Sequence, residues 1–374
     1  MKSLAAALSL AALAILWHHG SLFSTLELPD ETAYLEAFRH VLAGGSAYDA
    51  PRYFYTPAFA RLGALAVSAL GSSGTALALR FLNLAAVLYL AVASAALCPP
   101  LGRVRFAVAL GLVVALRPLS TSIALGNVSP IPAALLLAAV LLGEERPIVT
   151  GILFGLGLAM KPAAAPALLV LSVVHRPSRA RLLLVASASA VASLALLVDA
   201  RDLPRWLERA ATSPDVPTNL SPLRVLAGVG ANPPSALVAL VLTLGVAAFA
   251  RRFVQGPRGL AATAGLAALL WSPLVWLHSF SLVVPAVVVA TERAVSRFAH
   301  ERSRRAFAAA LWIGLAALAV DVGDALGDVE RIFPSVGPAG ALLAAIPGVA
   351  AIALVVFTTL RGDVDESHGM PPVT

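Results

Sequence analysis

Two adjacent carboxylates, Asp30 and Glu31, open the most polar stretch of an otherwise apolar chain. Pro29-Asp30-Glu31 reads as a helix start, and Tyr34, Leu35, Phe38, Val41 and Leu42 recur behind it at i, i+3/i+4 spacing. Gly44-Gly45 then stops the run. The spacing predicts an amphipathic helix lying on a surface, with both acids in its first turn. A carboxylate so placed could take a proton from an attacking hydroxyl. It could equally cap the helix and offset its dipole, an effect of about 0.5–1 kcal/mol. Tyr48, Arg52, Tyr53, Phe54 and Tyr55 follow closely and read as an interfacial aromatic belt.

Three further places carry reactive or polar groups. Gly151, Gly155 and Gly157 precede Lys161-Pro162, so a lysine stands at a helix break between apolar runs. Its ammonium could snorkel to water or hold an anion as a point charge. Ser272-Pro273 leads to Trp276-Leu277-His278-Ser279, read as a tight turn with one histidine. Gly126-Asn127 and Asn219-Leu220-Ser221-Pro222-Leu223-Arg224 offer amides and hydroxyls that either cap helices or bind sugar hydroxyls. His18 and His19 are adjacent, point apart on a helix, and read as interfacial polar residues. A paired Asp-x-Asp metal motif is missing from the outer loops, and one cysteine, Cys98, supports no disulfide or thiolate framework.

The elements that must position these groups follow from composition. Of 374 residues, 59% are hydrophobic and 13% charged, with mean hydropathy +0.87. Soluble domains run about 45–50% apolar and about 25% charged. The composition excludes a soluble enzyme, a disordered chain and a nucleic-acid-binding domain. Apolar runs fall near 3–17, 76–97, 105–118, 129–143, 147–160, 163–175, 182–199, 236–250, 259–275, 279–292, 306–322 and 338–360. The expected fold is all-α, a polytopic bundle of about 10–12 spans. It is read as one integral membrane domain over 1–374: first span 1–17, first outer loop 18–74, remaining spans 75–360, tail 361–374. The N-terminal run, which has no small-x-small cleavage site before the acidic loop, is expected to stay as an anchor. The run 57–70 is read as an outer interfacial helix ending at Gly71-Ser72-Ser73-Gly74.

Charge sets the sidedness. More than half of the 27 basic residues fall on one side, among them Arg103, Arg105, Arg146, Arg176, Arg179, Arg181, Arg251, Arg252 and Arg258. That side is cytoplasmic by the positive-inside rule, which also absorbs the net charge of +7. Loops 18–56, 118–129, 200–235 and 323–337, with a turn at 276–279, lie opposite and hold most of the carboxylates. Every Asp and Glu falls in a loop or at a helix end. Ion-coupled transport, which uses acids at mid-depth, is therefore not expected.

In order along the chain, these places resemble one family. Asp30-x3-Tyr34, Gly44/Gly45, Tyr48 and Phe54-Tyr55-x-Pro57 resemble the first outer loop of glycosyltransferase family 87, the polyprenol-phosphate-mannose-dependent α-mannosyltransferases of the GT-C superfamily. Gly126-Asn127, the glycine helix with Lys161-Pro162, Asn219-x-Ser221 and Ser272-Pro273…Trp276-x-His278 resemble its later signatures. The resemblance implies a GT-C bundle with an outer cavity roofed by surface helices of the first loop. It implies inverting transfer of mannose or a similar hexose from a polyprenyl-phosphate donor to a hydroxyl of a glycolipid or glycan acceptor. It makes Asp30 the general base. His278 is the second expected catalytic group, orienting donor phosphate or acceptor, and Lys161 and Arg117 are expected to hold the phosphate. Glu31, Tyr34, Tyr48, Tyr55, Asn127, Asn219, Ser221, Arg224 and Trp276 complete the expected substrate-binding set. Neither metal nor cofactor is expected, since a lipid monophosphate leaves with less charge than a nucleotide diphosphate. The expected partners are the lipid-linked donor, the acceptor and membrane lipids, with no nucleic acid. The expected place is the cytoplasmic membrane, multi-pass, with the site on its extracytoplasmic face. Competing readings are a lipid or solute transporter or flippase without ion coupling, and a noncatalytic scaffold in which Asp30 only caps its helix.

Overall fold

The computed structural model describes residues 27–97, 117–162, 165–174, 178–197, 200–211, 235–254, 256–271 and 277–289. The expected runs 3–17, 306–322 and 338–360 lie outside them, as do His18, His19, Asn219, Ser221, Arg224 and Trp276. The described residues form helices with no strand, which agrees with the all-α expectation.

Helix α1, Pro29–Leu42, starts where the sequence places it. Pro29 occupies the first turn, and Glu31 reaches back to accept a hydrogen bond from the Leu28 amide at 3.1 Å, which satisfies a donor at the helix start although leucine offers no reciprocal cap. Gly44, at φ 82°, ends it in a conformation that other residues adopt only under strain. Its apolar face packs largely on protein, with Leu42 left exposed. Tyr34, Leu35, Phe38 and Val41 are buried against the first part of the next helix, where Gly63 leaves room for the Phe38 ring. The helix is amphipathic as its spacing predicts, but the surface it covers is protein.

Helix α2, Pro57–Ala96, is capped by Thr56, whose hydroxyl accepts from the Phe59 amide at 3.2 Å. Gly71, at φ 70° and ψ 171°, breaks it into two rods. The expected break at 71–74 is therefore present but confined to one residue. Among the described residues, α2 alone is long and apolar enough to cross a membrane by length and composition.

Most of the remaining helices follow the expected apolar runs with small shifts, while the expected run 105–118 lies almost entirely outside the described residues. The helices are α3 Arg117–Leu125, α4 Pro130–Leu142, α5 Pro147–Met160, α6 Ala165–Val174, α7 Ser178–Leu197, α8 Leu203–Ala211, α9 Ser235–Phe253 and α10 Gly256–Trp271. A 3-10 turn, Leu277–Val283, replaces the expected tight turn and continues as helix to residue 289. Two elements correct the loop reading. α3 occupies most of loop 118–129, because Leu119, Ser122 and Ile123 share one face and are buried there. α8 forms within loop 200–235, with Trp206 packed against the apolar cluster that holds α1 and the aromatic residues Tyr48 and Tyr53. Several helices are short: α4 has 13 residues and α6 has 10, about 20 and 15 Å of rise.

Close helix packing explains the glycine run. A Cβ on Gly151 would stand 2.5 Å from the Ser187 Cβ, and one on Gly155 would stand 2.6 Å from the Val191 Cβ. The glycines thus let α5 and α7 approach backbone to backbone. Two apolar clusters result. One gathers α2's second rod, α3, α4, α6 and α10; the other holds α1, the aromatic segment 47–53 and α2's first rod. Ile131 touches both. The polar groups singled out above collect between these clusters.

Candidate active site

Asp30 points from the first turn of α1 toward the turn between α3 and α4. Its Oδ2 accepts a hydrogen bond from the Asn127 Nδ2 at 2.6 Å, and its side chain keeps partial exposure. Burial pushes its carboxyl above the usual carboxylate range, against the lowering effects of the Asn127 hydrogen bond and the Lys161 charge.

Glu31 faces the other way, as neighbours about 100° apart on a helix must. It is fully buried, and Arg80 of α2 holds both of its oxygens at 2.7 Å. The expectation that Glu31 binds substrate is therefore corrected: its lone pairs are committed to α2 and to the Leu28 amide. Gly126, at φ 72°, lies against it, where a Cβ would meet the Glu31 Cγ at 2.5 Å.

Asn127 is 1% exposed and has every polar group engaged. Its Oδ1 accepts from the Ser129 amide at 2.9 Å and from the Tyr55 hydroxyl at 3.3 Å. Its backbone oxygen accepts from Asn83 at 2.8 Å, and its amide donates to Ser122 O at 2.8 Å. The expectation of direct substrate contact by Asn127 is corrected by this closure.

Lys161 stands where α5 ends. Pro162 follows it, and a residue before proline is driven out of helical geometry; Lys161 adopts φ −142° and ψ 103°. Its Nζ donates to Ser129 Oγ at 3.1 Å and to Ser279 Oγ at 3.2 Å, and lies 6.0 Å from the Tyr55 ring centroid. Burial at this break pushes the ammonium down to about 8, with Asp30 opposing the shift. No local signal in the sequence marks the two serines as partners of Lys161; Ser279 follows His278, whose backbone lies in the same 3-10 turn. Arg117 is placed only as the first residue of α3.

The aromatic residues are packed inside rather than set as a belt. Tyr53 and Tyr48 are buried, and Tyr34 and Tyr55 meet edge to face at 5.1 Å. Tyr48 donates to Tyr55 O at 2.8 Å and Tyr53 to Thr56 O at 2.8 Å, so the stack stiffens the chain entering α2. Tyr34 and Tyr48 line the stack; the Tyr55 hydroxyl reaches Asn127 and Ser129, and its phenol is pushed up to about 12 by burial. Asp202 fastens α8 to this segment, accepting from Ser46 Oγ at 2.6 Å and from the Ala47 amide at 3.1 Å. Arg205 pairs with Asp49 at 2.9 Å, and Arg209 donates to Tyr48 O at 3.1 Å.

Four segments far apart in sequence thus meet: segment 30–55, the α3–α4 turn, the α5 break and the turn at 277–279. An apolar helical frame brings a carboxylate and an ammonium, Asp30 and Lys161, together at one end. The chain belongs to glycosyltransferase family 87, whose family model matches residues 53–279, more than half its length. It is a glycosyltransferase. Among curated proteins none matches. Asp30 precedes the matched stretch but is joined to it by Asn127, Tyr55's partner inside that stretch.

Proposed function

We propose that this glycosyltransferase moves a hexose, mannose in the first instance, from a polyprenyl-phosphate donor to a hydroxyl of a glycolipid or cell-envelope glycan. The reaction is a single displacement with inversion, on the outer face of a multi-pass membrane protein. Asp30 takes the acceptor's hydroxyl proton while that oxygen bonds to the anomeric carbon. The bond from that carbon to the phosphate oxygen breaks, and the lipid phosphate leaves toward Lys161, with His278 and Arg117 as further donors. A monophosphate leaving group carries little enough charge for side chains to receive it, so the reading calls for no cofactor. Asn219, Ser221, Arg224 and Trp276 are proposed to hold the sugars.

The observation that carries this reading is the shared site of Asp30 and Lys161. The two are linked through Asn127 and Ser129, yet each keeps partial exposure. Two details support the outer face. Segments 30–55, 127–129, 202–209 and 279, all assigned to one side by charge, touch one another directly or through Lys161. The opposite helix ends carry Arg146, Arg251 and Arg252.

The test is incubation of membranes with radiolabelled polyprenyl-phosphate mannose and identification of the labelled product. Wild-type membranes should yield a labelled lipid or glycan. Asp30→Asn, at normal membrane level, should lose at least about a hundredfold in kcat, the usual scale for a general base. Near-normal turnover in Asp30→Asn would overturn the assignment, and donor movement across the bilayer without a glycosylated product would favour a flippase.

A further inference from the structure

The role of Asp30 leaves open what decides which of its oxygens meets the acceptor. Asn127 supplies the constraint. The Ser129 amide can only donate, and it lies 2.9 Å from the Asn127 side chain, so the amide oxygen must face it. The amino group is thereby turned toward Asp30, 2.6 Å from Oδ2. Rotation of the amide would set an N–H group against the Ser129 N–H and an oxygen against a carboxylate.

The backbone of Asn127 is fixed as firmly. Asn83 holds its carbonyl and Ser122 its amide, both at 2.8 Å, and Gly126 lets the turn press against Glu31. On the far side of α1, Glu31 is clamped by Arg80. Asp30 is thus held between a rigid helix start and a rigid amide. Among the described residues, Oδ2 accepts from Asn127 while Oδ1 accepts no hydrogen bond.

We infer that Asn127 is a positioning residue for the transfer: it commits Oδ2 of Asp30 to itself and presents Oδ1 to the acceptor hydroxyl. At 1% exposure it does not touch the sugar. The inference rests on Asp30 being the general base.

The decisive variant is Asn127→Asp. It keeps the oxygen that the Ser129 amide and Tyr55 need, so the turn keeps its cap, but replaces the donor facing Asp30 with a second acid. Two carboxyl groups at this distance share one proton and lose it as a pair at higher pH. The other charged or titratable groups facing Asp30 are Lys161 from the end of α5, Tyr34 on α1 and Tyr55 ahead of α2. All three are unchanged in the variant. Beside it, the Glu31–Arg80 pair is internally neutral.

The measurement is the pH profile of kcat and kcat/KM for wild type, Asp30→Asn and Asn127→Asp, with thermal unfolding in detergent as a folding control. The acid limb in Asn127→Asp should move up by one pH unit or more. Below the limb that lowers kcat/KM about tenfold per unit, with activity returning as pH rises and KM values near wild type. An acid limb at its wild-type position, or a rise in KM with the limb unmoved, overturns the inference and makes Asn127 a structural or substrate residue. If Asp30→Asn keeps both activity and the acid limb, the general-base reading itself has failed. If Asp30→Asn is inactive while the Asn127→Asp limb is unmoved, only the positioning role has failed.

Discussion

Replacing Glu31 by glutamine keeps an oxygen for the Leu28 amide but removes the charge that Arg80 faces. Both partners are buried, and both contacts are 2.7 Å in a two-pronged geometry. Nε of the guanidinium donates to one carboxylate oxygen and Nη2 to the other, so both oxygens are engaged by the same cation. Taking the negative charge away leaves an arginine in a nearly closed site between α1 and α2. Breaking a buried pair from one side typically costs about 3–5 kcal/mol. That is a large part of the roughly 5–15 kcal/mol that holds an ordinary domain folded. Glu31→Gln should therefore unfold at a clearly lower temperature in detergent and accumulate poorly in membranes. Arg80→Met should behave alike. The double variant Glu31→Gln with Arg80→Met should recover most of the loss, since a pair replaced by well-packed neutral groups is often close to neutral. Thermal unfolding followed by intrinsic fluorescence, on all four proteins, gives the coupling directly. Additive losses in the double variant would refute the argument. So would a Glu31→Gln protein of wild-type stability with impaired kcat, which would return Glu31 to the chemistry.

Lys161→Ala should both raise the KM for the lipid-phosphate donor and lower kcat, because the lysine holds the bound phosphate and receives the charge that develops as it leaves; unchanged kcat and KM would leave the lysine a packing residue. The pH profile of wild-type kcat/KM should be bell-shaped. Activity should rise as Asp30, whose pKa burial raises, ionises, and fall as Lys161 loses its proton at about 8, a limb that Lys161→Arg should push to higher pH; a profile without an acid limb would contradict the first assignment, and one without an alkaline limb the second. Gly155→Ala should lower the unfolding temperature, with a cost of about 1–3 kcal/mol from overpacking against Val191 and Ala188. Gly245→Ala, which meets open space, should not.

The sequence was most informative where a single local rule decides the outcome. Proline and glycine fixed the two ends of α1, and Pro162 fixed the break that carries Lys161. It misled where the partner of a face mattered. The spacing of Tyr34, Leu35, Phe38 and Val41 shows that one side of α1 is apolar, but hydrocarbon and the Gly63 face of α2 satisfy that side equally. The same limit hid the fate of the two adjacent acids. Only the position of Arg80, 49 residues on, shows that Glu31 is spent on packing while Asp30 stays available. Ser129 was invisible for a different reason. A serine before a proline reads as a helix cap, and nothing local reveals that an ammonium from another helix will rest on it.

The way the site is assembled has a consequence for the timing of synthesis. Asp30 meets Asn127 across 97 positions, Ser46 meets Asp202 across 156, and Lys161 meets Ser279 across 118. Each contact closes a loop of chain, and such long-range closures come late because their entropy is lost before any contact rewards it. A growing chain emerges from its N-terminus, so the acid is made first and waits. Its amide partner arrives next, then the lysine, then the clamp from α8, and last the hydroxyl at 279. A ribosome-bound fragment ending before that point holds the acid and the cation with one of the cation's two hydroxyl supports missing. The cation should therefore gain its second hydroxyl support only after about three quarters of the chain has been made, so the site is completed late in synthesis.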